Sequence, residues 1–319
     1  MFTPSRIWQI ILAFILITVV SLYVLIPNSL KISRVQVVHA PPSSFNRFFQ
    51  GKNDLRNWWN QLPGQKDIKN DSIFTYQNQE FTIHQKIYPL LNIEILFKGK
   101  NYESHLIPIQ ITKDTTALQW NLIIPNSWNP IEHYKNYKEA EKLSFLMSNI
   151  LSHFKTSFEN SEFVYGIPIH EFKLENSFFI AKKLEMDHPP TVLDTYFQVK
   201  SLMAYAQKNK AVKIDSPMLH WEKIPESGRF QMMVGIPIDR EIPNGEGIEF
   251  KRMPKMGRML SGEVKGGESS IQQGFSKLQL YMSDIQLGSP AIPFQVLQTN
   301  RLVEKDTNRW ITKLYYPIM

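Results

Sequence analysis

The chain has 319 residues, a length that accommodates two domains of ordinary size. Its apolar content of 43% and aromatic content of 12% are typical of a globular protein rather than a disordered one. Because there is no cysteine, the sequence excludes disulfides, thiolate nucleophiles, zinc fingers and iron–sulfur clusters. The net charge of +7 would suit an anionic membrane surface or nucleic acid, but a solvated basic surface explains it more simply.

The N-terminal segment predicts a membrane-spanning helix. Residues 7–26 carry no charge, and a helix of this length crosses the hydrocarbon core of a bilayer, which is about 30 Å thick. A cleaved signal peptide is the alternative, but it would have a shorter apolar region and small residues at a cleavage site. Arg6 precedes the span, whereas Lys31 and Arg34 follow it, so the charges lean weakly towards a cytoplasmic body. We expect a single-pass protein of the cell membrane that contacts the lipid bilayer through residues 7–26.

Residues 32–160 predict a strand, a short helix, a run of strands and a long helix. The first strand, 32–42, ends at two prolines, and an amphipathic helix that starts at Ser43 or Ser44 follows it. Extended segments are predicted at 73–76, 80–88, 92–98, 103–111 and 117–124. The long helix is predicted over 142–160, with an apolar stripe formed by Leu143, Met147, Ile150, Phe154 and Phe158. One long helix laid across a curved antiparallel sheet would bury the concave face of that sheet.

This order of elements resembles the helix-grip fold of the polyketide-cyclase and START-like superfamily, SRPBCC. The resemblance is carried by VQVVHAPPSSFNRFF at 35–49 and NDLRNWWNQLPG at 53–64, which are similar to the opening strand, Ala-Pro stretch and paired tryptophans of that family. It implies that residues 32–160 bind an apolar ligand between sheet and helix. Members share few functional residues, so the resemblance assigns no catalytic residue.

Residues beyond about 175 contain a duplicated strand–helix–strand–strand pattern. In the first copy, about 175–240, a helix starts after Pro189-Pro190-Thr191, and SPMLHWEKI pairs with RFQMMVGIPI. In the second copy, about 248–319, Ser269 and Gln272 form a capping box, and IPFQVLQTNRLV pairs with NRWITKLYYPI. The motif Gly-Ile-Pro-Ile occurs at 166–169 and 235–238, and Tyr-Pro-Ile at 316–318, as markers of element ends. Since neither copy buries its sheet alone, we expect the copies to pair and to leave a ligand cleft where they meet.

Residues 163–319 resemble the GyrI-like effector-binding domain, which is also attached to AraC-type and MerR-type regulators. The resemblance is carried by FKRMPKMGRMLSGEVKGGESSIQQGFSKLQLYM at 250–282, PFQVL at 293–297 and DTNRWITKLYYPI at 306–318. It implies binding of small, often cationic or amphiphilic, molecules between the two repeats, and some members hydrolyse small molecules. Where the family has Phe-Glu-x-Tyr, this chain has Phe294-Gln295-Val296-Leu297. The missing carboxylate weakens both the cation-binding and the hydrolase interpretations.

The predicted ligand contacts combine strand positions that match the family's pocket with aromatic side chains that would form apolar walls. They are Trp221, Glu222, Tyr281, Phe294, Gln295 and Tyr315. His220 and Glu222 share a face of a strand and would suit an acid–base pair. An exposed pair, with Trp221 turned the other way, explains the same residues more simply.

Two further motifs are explained without a ligand. The stretch GEVKGGESS at 262–270 precedes a helix, but it matches neither phosphate-binding glycine motif, and a plain helix cap accounts for it. Lys251, Arg252, Lys255 and Arg258 would meet lipid headgroups, but a solvated rim accounts for them. No metal-ligand spacing, cofactor motif or nucleic-acid motif occurs, so we expect no metal, no cofactor and no nucleic acid.

The sequence thus predicts an α+β protein with a transmembrane helix at 7–26, a helix-grip antiparallel sheet domain at 32–160 and a duplicated strand–helix–strand–strand domain at 163–319. The leading hypothesis is noncatalytic binding of a small apolar or amphiphilic molecule, for sensing or sequestration. A hydrolase or cyclase acting on a small hydrophobic substrate through His220 or Glu222 is the second. A structural or interaction protein whose cavities are filled by its own side chains is the third.

Overall fold

The protein, for which we obtained a computed structural model, is described over residues 4–59, 61–63, 72–87, 90–174, 178–253 and 257–319. The chain divides into two compact units, Met1–Glu159 and Asn160–Met319. In the described residues it is an α+β protein with an N-terminal apolar helix, a six-stranded and an eight-stranded sheet, both antiparallel. The predicted fold class is therefore confirmed.

The apolar segment forms helix α1, Pro4–Leu25. Its residues Ile7–Leu25 are long and apolar enough to cross a membrane, and none of them is buried in the protein. Leu12 and Phe14, for example, are 69% and 71% exposed. A signal sequence near the N-terminus can meet the same criteria of length and composition. Exposed apolar surfaces of this extent are typical of sites that contact a membrane or another protein.

The rest of the first unit is one antiparallel sheet with three helices. Its strands lie in the order β1-β6-β5-β4-β3-β2, and the last helix packs on β1 and β6. The elements are β1 (Ser29–Val38), α2 (Pro42–Gln50), α3 (Lys52–Trp59), β2 (Ile73–Tyr76), β3 (Gln79–Ile87), β4 (Leu90–Phe97), β5 (Lys100–Gln110), β6 (Thr116–Pro125) and α4 (Pro130–Phe158).

Two helix starts in the first unit differ from the prediction. Helix α2 begins at Pro42 rather than at a serine, and the Ser44 hydroxyl donates a hydrogen bond of 2.6 Å to the Pro41 carbonyl. Helix α4 begins at Pro130, twelve residues before the predicted 142. The Asn129 side chain caps it by accepting from the backbone N–H of Ile131 at 3.0 Å, and proline suits the first helical position.

Aromatic rings fill the space between α4 and the sheet. Trp58 of α3 stacks on Phe154 of α4 with ring centroids 3.9 Å apart, and Phe45 of α2 stacks on Phe158 at 4.0 Å. The Trp58 Nε1–H donates to the Ser157 hydroxyl at 2.8 Å, so the polar edge of the indole is satisfied. These rings hold α2 and α3 against the last turns of α4.

The second unit is an eight-stranded sheet in the order β11-β8-β10-β9-β13-β14-β12-β7. Its elements are α5 (Ser161–Tyr165), β7 (Ile169–Lys173), β8 (Phe178–Met186), α6 (Val192–Lys208), β9 (Met218–Lys223), β10 (Phe230–Pro237), β11 (Glu249–Arg252), β12 (Arg258–Lys265), α7 (Glu268–Asp284), β13 (Phe294–Leu297) and β14 (Ile311–Ile318).

The order of the strands shows the duplication. The first copy is β8-α6-β9-β10 and the second is β12-α7-β13-β14. They meet at a short pairing of β9 with β13, in which Leu219 is opposite Gln295 and Met218 is opposite Val296. We call this pairing the seam. The first Gly-Ile-Pro-Ile leads into the edge strand β7, and the second closes β10.

The two helices of the second unit begin in different ways. Thr191 caps α6 in a reciprocal capping box with Asp194, so the start predicted from Pro189-Pro190-Thr191 is confirmed. The capping box predicted for α7 is wrong. That helix begins at Glu268 after the N-cap Gly267, and no side chain caps it. Ser269 therefore lies inside the first turn.

Candidate functional site

The eight-stranded sheet has one face covered by helices and one open face. Side chains alternate between the two faces along every strand. On β13, Leu297 packs into the cluster under α6, whereas Phe294 and Val296 belong to a separate cluster with Phe179 and Met218. The second cluster contains no residue of α6 or α7, so it lies on the face that these helices do not cover. We call this face the open face.

A groove of about 760 Å³ lies on the open face. Most of its wall is apolar, and methionines contribute four of the side chains. The groove is lined by Leu174, Phe179, Ala181, Met218, Leu219, His220, Met233, Gly235, Lys251, Arg252, Met253, Gly257, Arg258, Met259, Pro290, Ala291, Ile292, Phe294, Pro317 and Ile318. A recess of about 210 Å³ shares Phe179, Met218 and Phe294 with it and adds Tyr315 and Asp215. Methionine side chains adapt to ligands of varied shape.

Three cations form the charged part of the groove wall. Lys251 pairs with Glu249 at 2.6 Å and Arg258 with Glu171 at 2.7 Å, and Arg252 pairs with Glu241. All three side chains are more than a third exposed. They come from the basic segment that the sequence suggested for lipid headgroups, and Lys255 of that segment lies outside the described residues. The described lining of the groove contains no carboxylate.

Besides these three cations, the described lining of the groove contains one histidine, His220. Its ring Nδ1 lies 2.8 Å from the Pro293 carbonyl oxygen, which requires a proton on Nδ1. Its Nε2 is buried and makes no hydrogen bond with the described residues. The nearest carboxylate oxygen recorded for it is Oε2 of Glu222, 3.9 Å from Nε2. The predicted pair is thus adjacent without being hydrogen-bonded.

The structure brings together two of the six predicted ligand contacts. Phe294 and Tyr315 pack side by side on the open face, with ring centroids 5.3 Å apart. Phe294 lines both the groove and the recess, and Tyr315 lines the recess. Burial raises the pKa of the Tyr315 phenol above its ordinary value. Of the six predicted ligand contacts, Phe294 and Tyr315 are the two that the structure places at the groove or its recess.

The other four predicted contacts lie elsewhere. Gln295 is buried on the helix-covered face, since it follows Phe294 directly on a strand. Trp221 packs against the cluster under α6, as the simpler interpretation expected. The Glu222 side chain is 55% exposed, and Tyr281 of α7 packs edge-on against Tyr165 of α5. None of these four side chains lines the groove.

A buried arginine lies on the helix-covered face. Arg301 is 7% exposed, and it donates to the Thr312 hydroxyl at 2.8 Å. Its guanidinium lies 4.6 Å from the centre of the Trp310 ring, and its backbone N–H donates to the Tyr196 hydroxyl at 2.9 Å. Burial lowers the pKa of Arg301. The Arg301 guanidinium thus contacts Thr312 and Trp310, and its Nε makes no hydrogen bond with the described residues.

Sequence reasoning missed the four methionines and Phe179 in the groove wall. Met218 and Met233 come from the consecutive strands β9 and β10, and Met259 comes from β12 in the second copy. Strand alternation places Val296 on the same face as Phe294, but the pairing of Val296 with Met218 becomes visible only in the structure. Within the described residues, no group of three or more histidine or acidic side chains is placed to hold a metal ion.

A second polar cluster lies in the first unit, around a buried carboxylate. Glu139 of α4 is 7% exposed, and its carboxylate accepts a hydrogen bond of 3.1 Å from the Tyr102 hydroxyl. Lys98 and Lys100 each approach it to 3.5 Å. Burial and the neighbouring Glu139 raise the pKa of Tyr102 to about 12. The cluster ties α4 to β5 by charge and hydrogen bonding.

We predict that Tyr102 makes the stability of the first unit depend on alkaline pH. In an unfolded chain the phenol titrates near pH 10. Since its pKa is raised in the folded protein, its contribution is complete below pH 10 and is lost as the pH rises through about 12. The free energy of unfolding should therefore differ most between the unmodified protein and Tyr102→Phe below pH 10, and the difference should shrink towards pH 12. Urea unfolding of both proteins across this range measures it, and a constant difference would contradict the assignment.

Comparison with known proteins gives only distant structural likenesses. No protein-family model and no curated protein matches the chain. Among solved structures, the C-terminal domain of EcmrR is 12% identical with a TM-score of 0.40, over 48% of this chain and 98% of that domain. An uncharacterized conserved protein from Listeria innocua is 10% identical with a TM-score of 0.37, over 47% of this chain and 92% of that one. A hydrolase from Listeria innocua is 11% identical with a TM-score of 0.36, over 47% and 91%. Likenesses of this strength leave the predicted SRPBCC and GyrI-like relationships as predictions.

Proposed function

We propose that the chain is a membrane-anchored protein whose second unit binds a small apolar or amphiphilic molecule without transforming it. The proposal keeps the predicted domains, with an anchor at 7–26, a helix-grip domain at 32–160 and a GyrI-like domain at 163–319. The observation that carries it is the groove on the open face of the eight-stranded sheet. Its volume of about 760 Å³ is within the range of small-molecule sites.

The chemistry of the groove wall supports an amphiphile with an apolar body. Wall side chains that keep exposed apolar area, such as Met233 and Ile292, gain from burial against an apolar ligand and have no polar group to satisfy. The cations Lys251, Arg252 and Arg258 are already paired, but they are exposed enough to exchange a partner for an anionic headgroup. A molecule with an apolar body and a small acidic group would match both features.

The second hypothesis, a hydrolase or cyclase, has one observation in its favour. The unpartnered Nε2 of His220 has the form of a general base. The described lining of the groove, however, contains no carboxylate and no hydroxyl or thiol nucleophile. The Glu222 side chain lies outside this lining. Binding therefore accounts for the site with fewer assumptions than catalysis.

The third hypothesis, a structural protein whose cavities are filled by its own side chains, fits the first unit better than it fits the second unit. Fully buried rings, among them Trp58, Trp59 and Phe154, pack α3 against the last turns of α4 and leave no room between them for a ligand. We propose that this unit has a structural role and that ligand binding belongs to the second unit.

A substitution that fills the groove tests the proposal. Met233 is a half-buried wall residue of β10, and we expect Met233→Trp to occupy the groove and to weaken binding at least tenfold, or about 1.4 kcal/mol. The matched control is Met203→Trp on α6, because Met203 is 47% exposed and lies outside the groove. The measurement is fluorescence titration of the detergent-extracted protein with N-phenyl-1-naphthylamine. Native mass spectrometry of the same preparation would detect a co-purified molecule.

Equal affinity of both variants for the probe would exclude the groove as the binding site. Failure of the unmodified protein to bind the probe, without any co-purified molecule, would reject the proposed function itself. Hydrolysis of a small ester that His220→Ala abolishes would favour the second hypothesis instead.

A further inference from the structure

Side-chain and backbone contacts fix the end of α1 against the start of α4. Tyr23 packs on His133 with ring centroids 4.9 Å apart, and its hydroxyl donates to the Trp128 carbonyl. The His133 ring is fully buried, with Nε2 2.9 Å from the Ile26 carbonyl oxygen and Nδ1 3.0 Å from that of Ser127. The loop before α4 and the last turn of α1 therefore keep a defined relative position.

Three large side chains next to this junction are exposed. Trp128 is 83% exposed, Ile131 66% and Tyr134 48%. Ile131 and Tyr134 are three residues apart on α4 and therefore lie on one side of the helix, with Trp128 directly before it. We call these three residues the foot. The Lys138 ammonium lies 6.0 Å from the centre of the Tyr134 ring, so a cation borders the foot.

The position of Tyr23 along α1 sets the depth of the foot. Tyr23 is two residues before Leu25, where the candidate span ends, and this corresponds to about 3 Å along a helix. The Trp128 carbonyl accepts from the Tyr23 hydroxyl, so Trp128 lies at the same level. In a spanning helix that level is the interface between hydrocarbon and headgroups, where tryptophan and tyrosine concentrate.

We propose that the foot, Trp128, Ile131 and Tyr134, docks on the headgroup region of the bilayer that α1 crosses. The inference rests on the membrane anchor of the proposed function and adds a second contact with the same bilayer. Since the contacts of Tyr23 and His133 fix the start of α4 to the end of α1, an anchor alone leaves the tilt of α1 and the first unit together free to vary. Anchor and foot together hold the unit in one orientation, with the far end of its sheet directed away from the lipid.

The absence of cysteine makes a direct test possible, because any introduced cysteine is the only one to be labelled. We would compare nitroxide labels at Ile131→Cys, Ile111→Cys and Leu16→Cys in the full chain, reconstituted in phosphatidylcholine vesicles. Ile111 is the matched control, since it is an exposed isoleucine beyond the far end of β6, about 30 Å from Pro125. Leu16 reports on the span. Labelling at Ile131 leaves Trp128 and Tyr134 in place.

Paramagnetic resonance with oxygen and a water-soluble nickel complex measures the depth of each label. We expect Leu16 in the hydrocarbon, Ile131 at headgroup depth with nickel accessibility severalfold below that of Ile111, and Ile111 in water. Adding Trp128→Ala to the Ile131→Cys protein should raise the nickel accessibility at Ile131.

The outcomes separate the foot from the anchor. The anchor is disproved if the label at Leu16 is in water, or if the mass of the intact protein shows that the segment containing Leu16 has been removed. The proposal for the foot is then disproved as well. If Leu16 is in the hydrocarbon while Ile131 is as accessible to nickel as Ile111, the foot is overturned and the anchor stands. Spin–spin broadening between Ile131 labels would identify a second copy of the chain as the partner and would also overturn the proposal.

Discussion

Replacement of Phe154 by alanine is expected to lower the free energy of unfolding of the first unit by about 3–5 kcal/mol. Phe154 is 1% exposed, and it stacks on Trp58 at 3.9 Å. Its ring also meets Phe48 and Phe49 edge-on, with centroids 6.2 Å and 5.9 Å away. Removal of the ring leaves a cavity that these rigid neighbours fill only in part, so the loss exceeds the transfer free energy of the side chain.

The matched control for this prediction lies on the same helix. Phe145 of α4 is 65% exposed, and Phe145→Ala should change the free energy of unfolding by no more than about 0.5 kcal/mol. Both variants are compared by urea unfolding of the detergent-solubilised chain. Because two units unfold, the transition of the first unit must be resolved from that of the second. Similar losses for the two variants would mean that the buried face of α4 is assigned incorrectly.

The apolar stripe of α4 shows how far periodicity predicts this fold. The stripe from Leu143 to Phe158 identified the buried side of the helix because residues three and four apart share a face. The same rule missed the first three turns, where the buried positions are occupied by polar residues such as His133 and Glu139. Those side chains are buried because the carbonyls of Ile26 and Ser127 and the hydroxyl of Tyr102 meet them. Such partners are distant in sequence, so periodicity alone does not reveal them.

The sequence also predicts the location of the seam, but it does not predict which face of the sheet is open. The duplication, and hence the location of the seam, could be predicted because strand, helix and turn signals recur in the same order in both copies. The alternation of strand side chains also means that Phe294 and Gln295 face opposite ways. Which of the two faces is open depends on where α6 and α7 pack. That choice is made by tertiary contacts, such as those of Leu297 under α6, and no local pattern of β13 encodes it.

The two faces of the sheet therefore have different chemical characters. On the helix-covered face, Gln295 and Arg301 are buried polar groups surrounded by protein. On the open face, Met218 and Phe294 border about 760 Å³ of space. Gln295 Oε1 and Arg301 Nε make no hydrogen bond with the described residues, but both side chains are enclosed by protein, whereas the open face borders unfilled space lined mostly by apolar side chains. This contrast is why we place ligand binding on the open face although the family resemblance had suggested Gln295.

Replacement of Gly274 by alanine is expected to destabilise the second unit by about 1–3 kcal/mol, against the usual direction of this change. In an ordinary helix, alanine is more favourable than glycine by about 1 kcal/mol. A Cβ at Gly274, however, would lie 2.5 Å from Cδ1 of Leu314 and 2.6 Å from Cγ1 of Val264. Leu314 is fully buried and Val264 nearly so, and both belong to strands on which α7 packs. Overpacking therefore outweighs helix propensity at this position.

A neighbouring substitution and a double substitution distinguish this clash from other causes. Gln273→Ala changes an exposed residue of the same helix and should alter the unfolding midpoint little. Val264→Ala costs stability alone but makes room for the new methyl group, so Gly274→Ala should cost less in that background than in the unmodified protein. Chemical denaturation of the four proteins measures this coupling. If Gly274→Ala raised the midpoint, or if the two changes were additive, α7 could not lie as close to β12 and β14 as the structure places it.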